Sequence, residues 1–153
     1  MPKGKSIADM FDGTKWGVDF SRSESECISA YLSLAVHKAG QYVFRENDRN
    51  NYMAFLIEGE VDIRKERDDS LEQSIITLRP GTHFGEMALV DGEPRSASVI
   101  ARKDAVLLIL TEDNFERILA EHPQIGIKML RKIAYLLSRR LRQTTGRLAF
   151  MRI

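Results

Sequence analysis

The spacing of apolar residues changes twice along the 153-residue chain, and those two changes limit its fold more than any other feature. After SRSESE, the apolar positions Cys27, Ile28, Tyr31, Leu32 and Ala35 fall at helical intervals. Ser21 or Ser23 is placed to cap that helix, with glutamates in its first turn. From 36 to 110 the runs become short and rich in Val, Ile, Phe and Tyr: VHKAGQYVFREND, NYMAFLIEGEVDIRKE, QSIITLRPGTHFGE and SASVIARKDAVLLIL. Glycine, asparagine and aspartate punctuate them at 40, 47–51, 59, 81, 85 and 91–92, which reads as a sequence of strands and turns. Phe55, Ile57 and Val61 are expected in a strand pair broken by Gly59, and ERDDSLEQ as a polar hairpin tip. After Leu110 the helical period returns. Thr111 is suited to cap TEDNFERILAEH, and Pro123 to open a second, longer helix. In that helix Met129 or Leu130, Ile133, Leu137, Leu141 and Thr144 are expected along one stripe, the kind of seam that packs against a second copy.

This order of helix, many short strands and two helices predicts a mainly β domain, a sandwich or barrel with flanking helices. Residues 1–20 have weak patterning and are expected to be a lead-in with a short helix at 6–11. The domain proper is expected over 21–153, with the β-barrel at about 36–110 and the C-terminal helices at about 111–121 and 123–147. An apolar content of 43% is that of a folded chain. No apolar run approaches a membrane span, and MPKGKSIADMFDG has no secretory h-region. One cysteine, Cys27, excludes an internal disulfide and a cysteine-held metal or iron–sulfur site. The cytoplasm is the expected compartment.

The stretch FGEMALVDGEPRSASVIA, residues 84–101, sets one acid, Glu86, and one base, Arg95, in a mostly small and apolar segment. A plain ion pair is one account of them. The other is a small ligand that offers an anion and a hydroxyl. An anion is held by backbone amides at a tight turn and by a forked cation. Gly85 permits close approach of the backbone, Glu86 to Leu89 can wind one helical turn, Arg95 supplies the fork and Ser96 a hydroxyl. Ala88 and Ala97 are small enough to leave room. Ionised Glu86 only accepts hydrogen bonds, so it is matched to a hydroxyl rather than to a phosphate.

Phe84-Gly85-Glu86-Met87-Ala88-Leu89, a short loop, then Pro94-Arg95-Ser96-Ala97 resembles the phosphate-binding cassette of the cyclic-nucleotide-binding domain family, and the resemblance in element order runs from about residue 20 to 150. It implies a β-jelly-roll with flanking helices and no enzymatic activity. It also implies that Glu86 takes the ribose 2′-hydroxyl, and that Arg95, Ser96 and the amides of Ala88 and Ala97 take the phosphate. Gly40, Gly59 and Gly81 fall where the family's barrel turns use glycine. Asn47 stands where the family usually has glycine, and asparagine is the next-best residue for a left-handed turn. Ser96 in place of threonine implies cAMP rather than cGMP. Thr144 and Thr145 match the bacterial activators' adenine-contacting pair, one residue of which comes from the partner subunit. Ile76 and Leu78 alternate onto one strand face and are candidates for lining the base pocket, or for ordinary core.

The expected ligand is therefore cAMP, possibly cGMP, with no further cofactor, bound by a homodimer joined through the long C-terminal helix. The resemblance includes no helix-turn-helix, kinase, channel or cyclase segment, so specific DNA binding is not expected and the downstream partner is an unknown protein. The alternative is a protein-interaction module of the same fold, its pocket empty or holding another anion. Haem ligation by His37, His83 or His122 stays open, although His83 reads first as a turn residue. Residues 1–121 hold 15 Lys and Arg against all 22 Asp and Glu, while residues 122–153 hold 8 Lys and Arg and no acid. A basic last helix suits either an external acidic partner or the acidic body of its own kind.

Overall fold

A computed structural model describes residues 2–65 and 73–151, with the side chains of 73–75 and 147–151 outside that description. Seven residues of the expected polar tip, 66–72, lie outside it as well. The chain divides into two units, residues 1–116 and 117–153.

The first unit begins with two short helices, α1 (Ile7–Asp12) and α2 (Arg22–Ser29). Each opens on a capping box: Ser6 with Asp9, and Ser21 with Glu24. Arg22 joins the two helices, with its guanidinium 2.9 Å from Asp9, 2.7 Å from Asp12 and 3.1 Å from Glu26. Helix α2 stops at Ser29, so Ala35, expected on the helix, lies instead on strand β1 (Ser33–His37). The ladder of β1 with the last strand, from Ser33 opposite Ile109 to His37 opposite Ala105, supplies backbone bonds that a longer helix would have displaced.

The remaining strands are β2 (Tyr42–Phe44), β3 (Tyr52–Glu58), β4 (Val61–Lys65), β5 (Gln73–Leu78), β6 (His83–Phe84), β7 (Ser98–Ala101) and β8 (Ala105–Thr111). A short helix, α3 (Ala88–Asp91), separates β6 from β7. Among the described residues all strand pairs are antiparallel, and they form two four-stranded sheets of order β1-β8-β3-β6 and β2-β7-β4-β5. The expected pairing of the strands around Gly59 is thus corrected: β3 and β4 belong to different sheets. Their turn carries the chain across the barrel. Gly59 has φ +85°, and a Cβ there would overlap the carbonyl oxygen of Asp104.

Period-2 alternation decides what each strand buries. Phe44, Val61, Val99 and Ala101 of one sheet meet Ala54, Leu56, Phe84, Ala105 and Leu107 of the other in a single core, giving the jelly roll. Met53 and Phe55 alternate to the opposite face of β3 and are also fully buried. The N-terminal lead-in covers that face. Phe11 and Trp16 pack edge-on against Phe55, with centroids 5.3 and 5.5 Å away, and Phe20 against Phe11. Phe11, Trp16 and Phe20 are therefore part of the core, despite the weak patterning of the segment that carries them.

Helix α4 (Glu112–Glu121) follows β8, with the Asn114 amide donating to the Thr111 hydroxyl at 3.1 Å. Helix α5 runs Pro123–Met151. The expected apolar stripe on α5 is corrected into two lines. Ile125, Met129 and Ile133 are buried, whereas Ile127, Leu130 and Leu141 are exposed. Twelve residues advance an α-helix by roughly three and a third turns, so Met129 and Leu141 cannot share a face. A third face carries Lys128, Arg131, Arg139 and Arg142, all exposed. Among the described residues no helix is long and apolar enough to cross a membrane.

Candidate functional site

The turn after β6 is built by Gly85, whose φ of +79° admits few other residues. The Ala88 amide donates to the Gly85 carbonyl at 3.2 Å and the Leu89 amide to that of Glu86 at 3.2 Å, winding the chain directly into α3. Ala88 and Leu89 point into the core, and Met87 and Val90 stand exposed. Helix α3 ends at Gly92 in the left-handed region, and Glu93–Ala97 leads back to the barrel at β7.

Arg95 is 5% exposed and closely held. Its Nε donates to the side-chain oxygen of Asn50 at 2.7 Å, Nη2 to the Tyr52 carbonyl at 2.6 Å and Nη1 to the Gly85 carbonyl at 3.3 Å. The guanidinium carbon lies 3.9 Å from the Phe44 ring centroid and 4.7 Å from that of Tyr52. Its backbone is fixed as well: the Arg95 amide donates to the Asp48 carbonyl, and the Asn47 amide to the Arg95 carbonyl. Asn47 has φ +74°, so the turn expected to survive without glycine does so. Burial pushes the Arg95 pKa down from its ordinary value, with Tyr52 and Asp48 acting the other way. Arginine remains charged throughout the working pH range regardless. Burial likewise raises the Tyr52 hydroxyl.

Among the described residues Arg95 makes no ion pair, so the simple Glu86–Arg95 bridge is not what holds this segment together. Glu86 is 2% exposed, and its Oε2 lies 3.8 Å from Nε2 of His83. His83 sits on β6 opposite Phe55, a strand position rather than the turn expected for it.

Of the other candidates, Ser96 is exposed and its carbonyl accepts from Lys65 Nζ at 2.8 Å. Lys65 also lies 3.3 Å from Glu46, tying the end of the cassette to β4. Ala97 is half-buried beside it. Leu78 is opposite Val61 and packs on the barrel core, and Ile76 is opposite Ile63 on the same face but is 49% exposed. Thr144 and Thr145 belong to the second unit; both are exposed, and the Thr144 hydroxyl donates to the Arg140 carbonyl at 3.0 Å. Among the described residues no group of three His, Cys, Asp or Glu side chains is arranged to hold a metal ion.

The sequence profile of the cyclic nucleotide-binding domain matches residues 35–122, more than half of the chain. The chain belongs to that family. As a cyclic nucleotide-binding domain it is 28% identical over 120 residues to the Cyclic AMP receptor protein of Thermus thermophilus, covering 78% of this chain and 54% of that one. It is 33% identical over 92 residues to the cAMP-dependent protein kinase regulatory subunit of Aspergillus niger, covering 60% of this chain and 22% of the subunit. It thus spans about half the length of the first of these relatives and under a quarter of the second. Among solved structures, a cyclic nucleotide-binding domain from Methylobacillus flagellatus superposes with a TM-score of 0.78 at 29% identity, over 93% of this chain and 80% of that one.

Sequence reading found the cassette of this domain but not its support. Asn50, Tyr52 and Phe44, which hold the Arg95 guanidinium, lie 43 to 51 residues earlier in the chain. The run ENDRNN signals only a turn when read locally. The one available hint was a cluster of Asn and Asp directly ahead of a strand that begins with an aromatic residue.

Proposed function

We propose that this domain is a sensor module that binds cAMP, with Arg95 and Ser96 on the phosphate and Glu86 on the ribose 2′-hydroxyl. The observation that carries the reading is Arg95. A buried guanidinium that Phe44 and Tyr52 flank and neutral acceptors hold is pre-organised for an anion, since no carboxylate has to be displaced first. Gly85, Ala88 and Ala97 are small enough to let a ligand approach the backbone of the turn, although the Ala88 amide already donates to the Gly85 carbonyl, and Ile76 and Leu78 offer the base an apolar wall. The choice of cAMP draws support from Ser96 and from the cAMP ligands named for the Thermus and Aspergillus relatives. The reading is binding, not catalysis: a carboxylate on a sugar hydroxyl and a fork on phosphate lower the ligand's energy without activating a nucleophile.

Calorimetry tests it. The expected result is saturable binding of cAMP, weaker binding of cGMP, and no comparable binding of AMP or inorganic phosphate. No heat from either cyclic nucleotide at high micromolar concentration would refute it. Glu86→Ala is expected to lower cAMP affinity by about 10- to 100-fold, the worth of one hydrogen bond to a charged group. The 2′-deoxy analogue should lose a similar factor against the unaltered protein and nothing further against the variant. Additive losses would separate Glu86 from the ribose.

The exposed line Ile127, Leu130 and Leu141 on α5 supports a homodimer joined through that helix. In such a dimer Thr144 and Thr145 are the residues offered to the adenine. Leu141, 68% exposed, is the sharpest probe. Leu141→Asp is expected to convert dimer to monomer in light scattering, and a wild-type chain that is monomeric at every measurable concentration would rule this assembly out.

A further inference from the structure

We propose that His83 positions Glu86 and couples ligand binding to the uptake of a proton. The inference rests on the reading above, in which Glu86 accepts a ligand hydroxyl. It begins from three observations. First, His83 Nε2 lies 3.8 Å from Glu86 Oε2, three residues along the chain. Second, both groups are shielded: the Glu86 side chain is 2% exposed and the His83 side chain 15%. Third, the His83 ring is held in place. Its backbone pairs with Phe55 on β3, and its ring packs edge-on against Trp16, with centroids 5.5 Å apart.

A carboxylate accepts hydrogen bonds through both oxygens. An imidazolium 3.8 Å from Oε2 attracts the Glu86 carboxylate as an ion pair without taking up its hydrogen-bonding capacity for a hydroxyl. Among the described contacts of His83, Glu86 lies within ion-pair distance, and Trp16 from the N-terminal segment and Phe55 from β3 carry no charge; Lys15, beside Trp16 in the chain, is exposed. Arg95, bound to the Gly85 carbonyl, does not titrate in the range of an imidazole.

The sign of the coupling follows. A nucleotide seated on Glu86 excludes water from the carboxylate and brings a second anion to the cassette. Both changes strengthen the attraction between Glu86 and a protonated His83, so the imidazole's pKa is higher in the complex than in the free protein. Between those two values binding takes up a proton, and affinity falls as pH rises through them. An ordinary histidine titrates near 6.5, so the measurement is centred on neutral pH.

The experiment is calorimetry with cAMP between about pH 6 and 8.5, the window around an imidazole's ordinary titration, in buffers of different ionisation enthalpy. The expected result is uptake of a fraction of a proton near neutrality and an affinity that drops about three- to tenfold across the range, within the one decade per pH unit that a single coupled group allows. In His83→Gln, which keeps a hydrogen-bonding side chain but cannot titrate, uptake should vanish and the profile flatten. Because that variant could be poorly folded, the His83 ring signals of the unaltered protein, assigned through bonds by NMR, are titrated with and without cAMP. An upward pKa shift on binding supports the proposal; an unchanged pKa overturns it. Binding with no proton uptake, or with equal uptake in His83→Gln, overturns the role of His83 while leaving the ligand site intact. Absence of cAMP binding at every pH removes the ligand site and this inference together.

Discussion

Arg95→Ala is expected to lower cAMP affinity by at least about 100-fold in a protein that still folds. Two charge-assisted hydrogen bonds from one guanidinium to a phosphate are each worth roughly 1.5–3 kcal/mol, so their joint loss spans about two to four decades. Arg95→Lys should recover only part of it. An ammonium keeps the charge but neither the fork nor the flat face that lies against the Phe44 and Tyr52 rings. The change also has a stability cost, because the Tyr52 carbonyl and the Asn50 amide lose a donor and the two rings lose a cation. That cost is about 1–3 kcal/mol, a fraction of a typical domain's stability. Circular dichroism and thermal melts separate the two effects. A folded Arg95→Ala protein whose cAMP affinity lies within tenfold of the original would show that the phosphate is held elsewhere.

The largest effect on stability is expected at Gly59. An added Cβ would overlap the Asp104 carbonyl oxygen and come within 2.9 Å of the Ala105 Cα, so it meets backbone rather than a side chain that could swing away. The opposing loop has little freedom to yield. Asp104 accepts from the Ala39 amide at 2.8 Å, and Ala105 is fully buried opposite His37. The left-handed conformation alone costs a non-glycine residue about 1–2 kcal/mol, and an overpacked contact adds about 1–3 kcal/mol. Gly59→Ala should therefore lower the melting temperature by on the order of 10 °C or more. Gly40→Ala is the matched control: its φ of +89° is nearly the same, but nothing lies within 4 Å of the added atom. Equal losses at the two glycines would mean that strain alone acts and the clash is relieved.

How far the sequence revealed this molecule depended on how far apart the cooperating residues lie. The barrel was legible because each strand carries its own alternation, and the cassette because Gly85, Glu86 and Arg95 fall within eleven residues of one another. The packing of the N-terminal segment was not legible because Phe11, Trp16 and Phe20 follow no period; Phe11 and Trp16 are placed by Phe55, 39 or more positions away, and Phe20 by Phe11. The α5 stripe was drawn too wide because apolar residues at steps of three and four look continuous even as a helix rotates them from a buried line to an exposed one. The turn at Asn47 was read correctly from conformational preference alone, but its purpose was not. It holds the backbone of Arg95 from both sides, a contact between residues 48 positions apart.

The three acceptors on the Arg95 fork occupy three of its five N–H groups and leave one on each Nη. In the proposed site a phosphate would meet a cation already fixed in place, with part of its donor capacity committed. A small inorganic anion would bring one anchor to that partly spent fork and should hold weakly at ordinary concentrations. A ligand that also engages Glu86 would gain a second, simultaneous hold. Discrimination would thus begin with resident carbonyls that ration the fork's donors before the shape of the base is consulted.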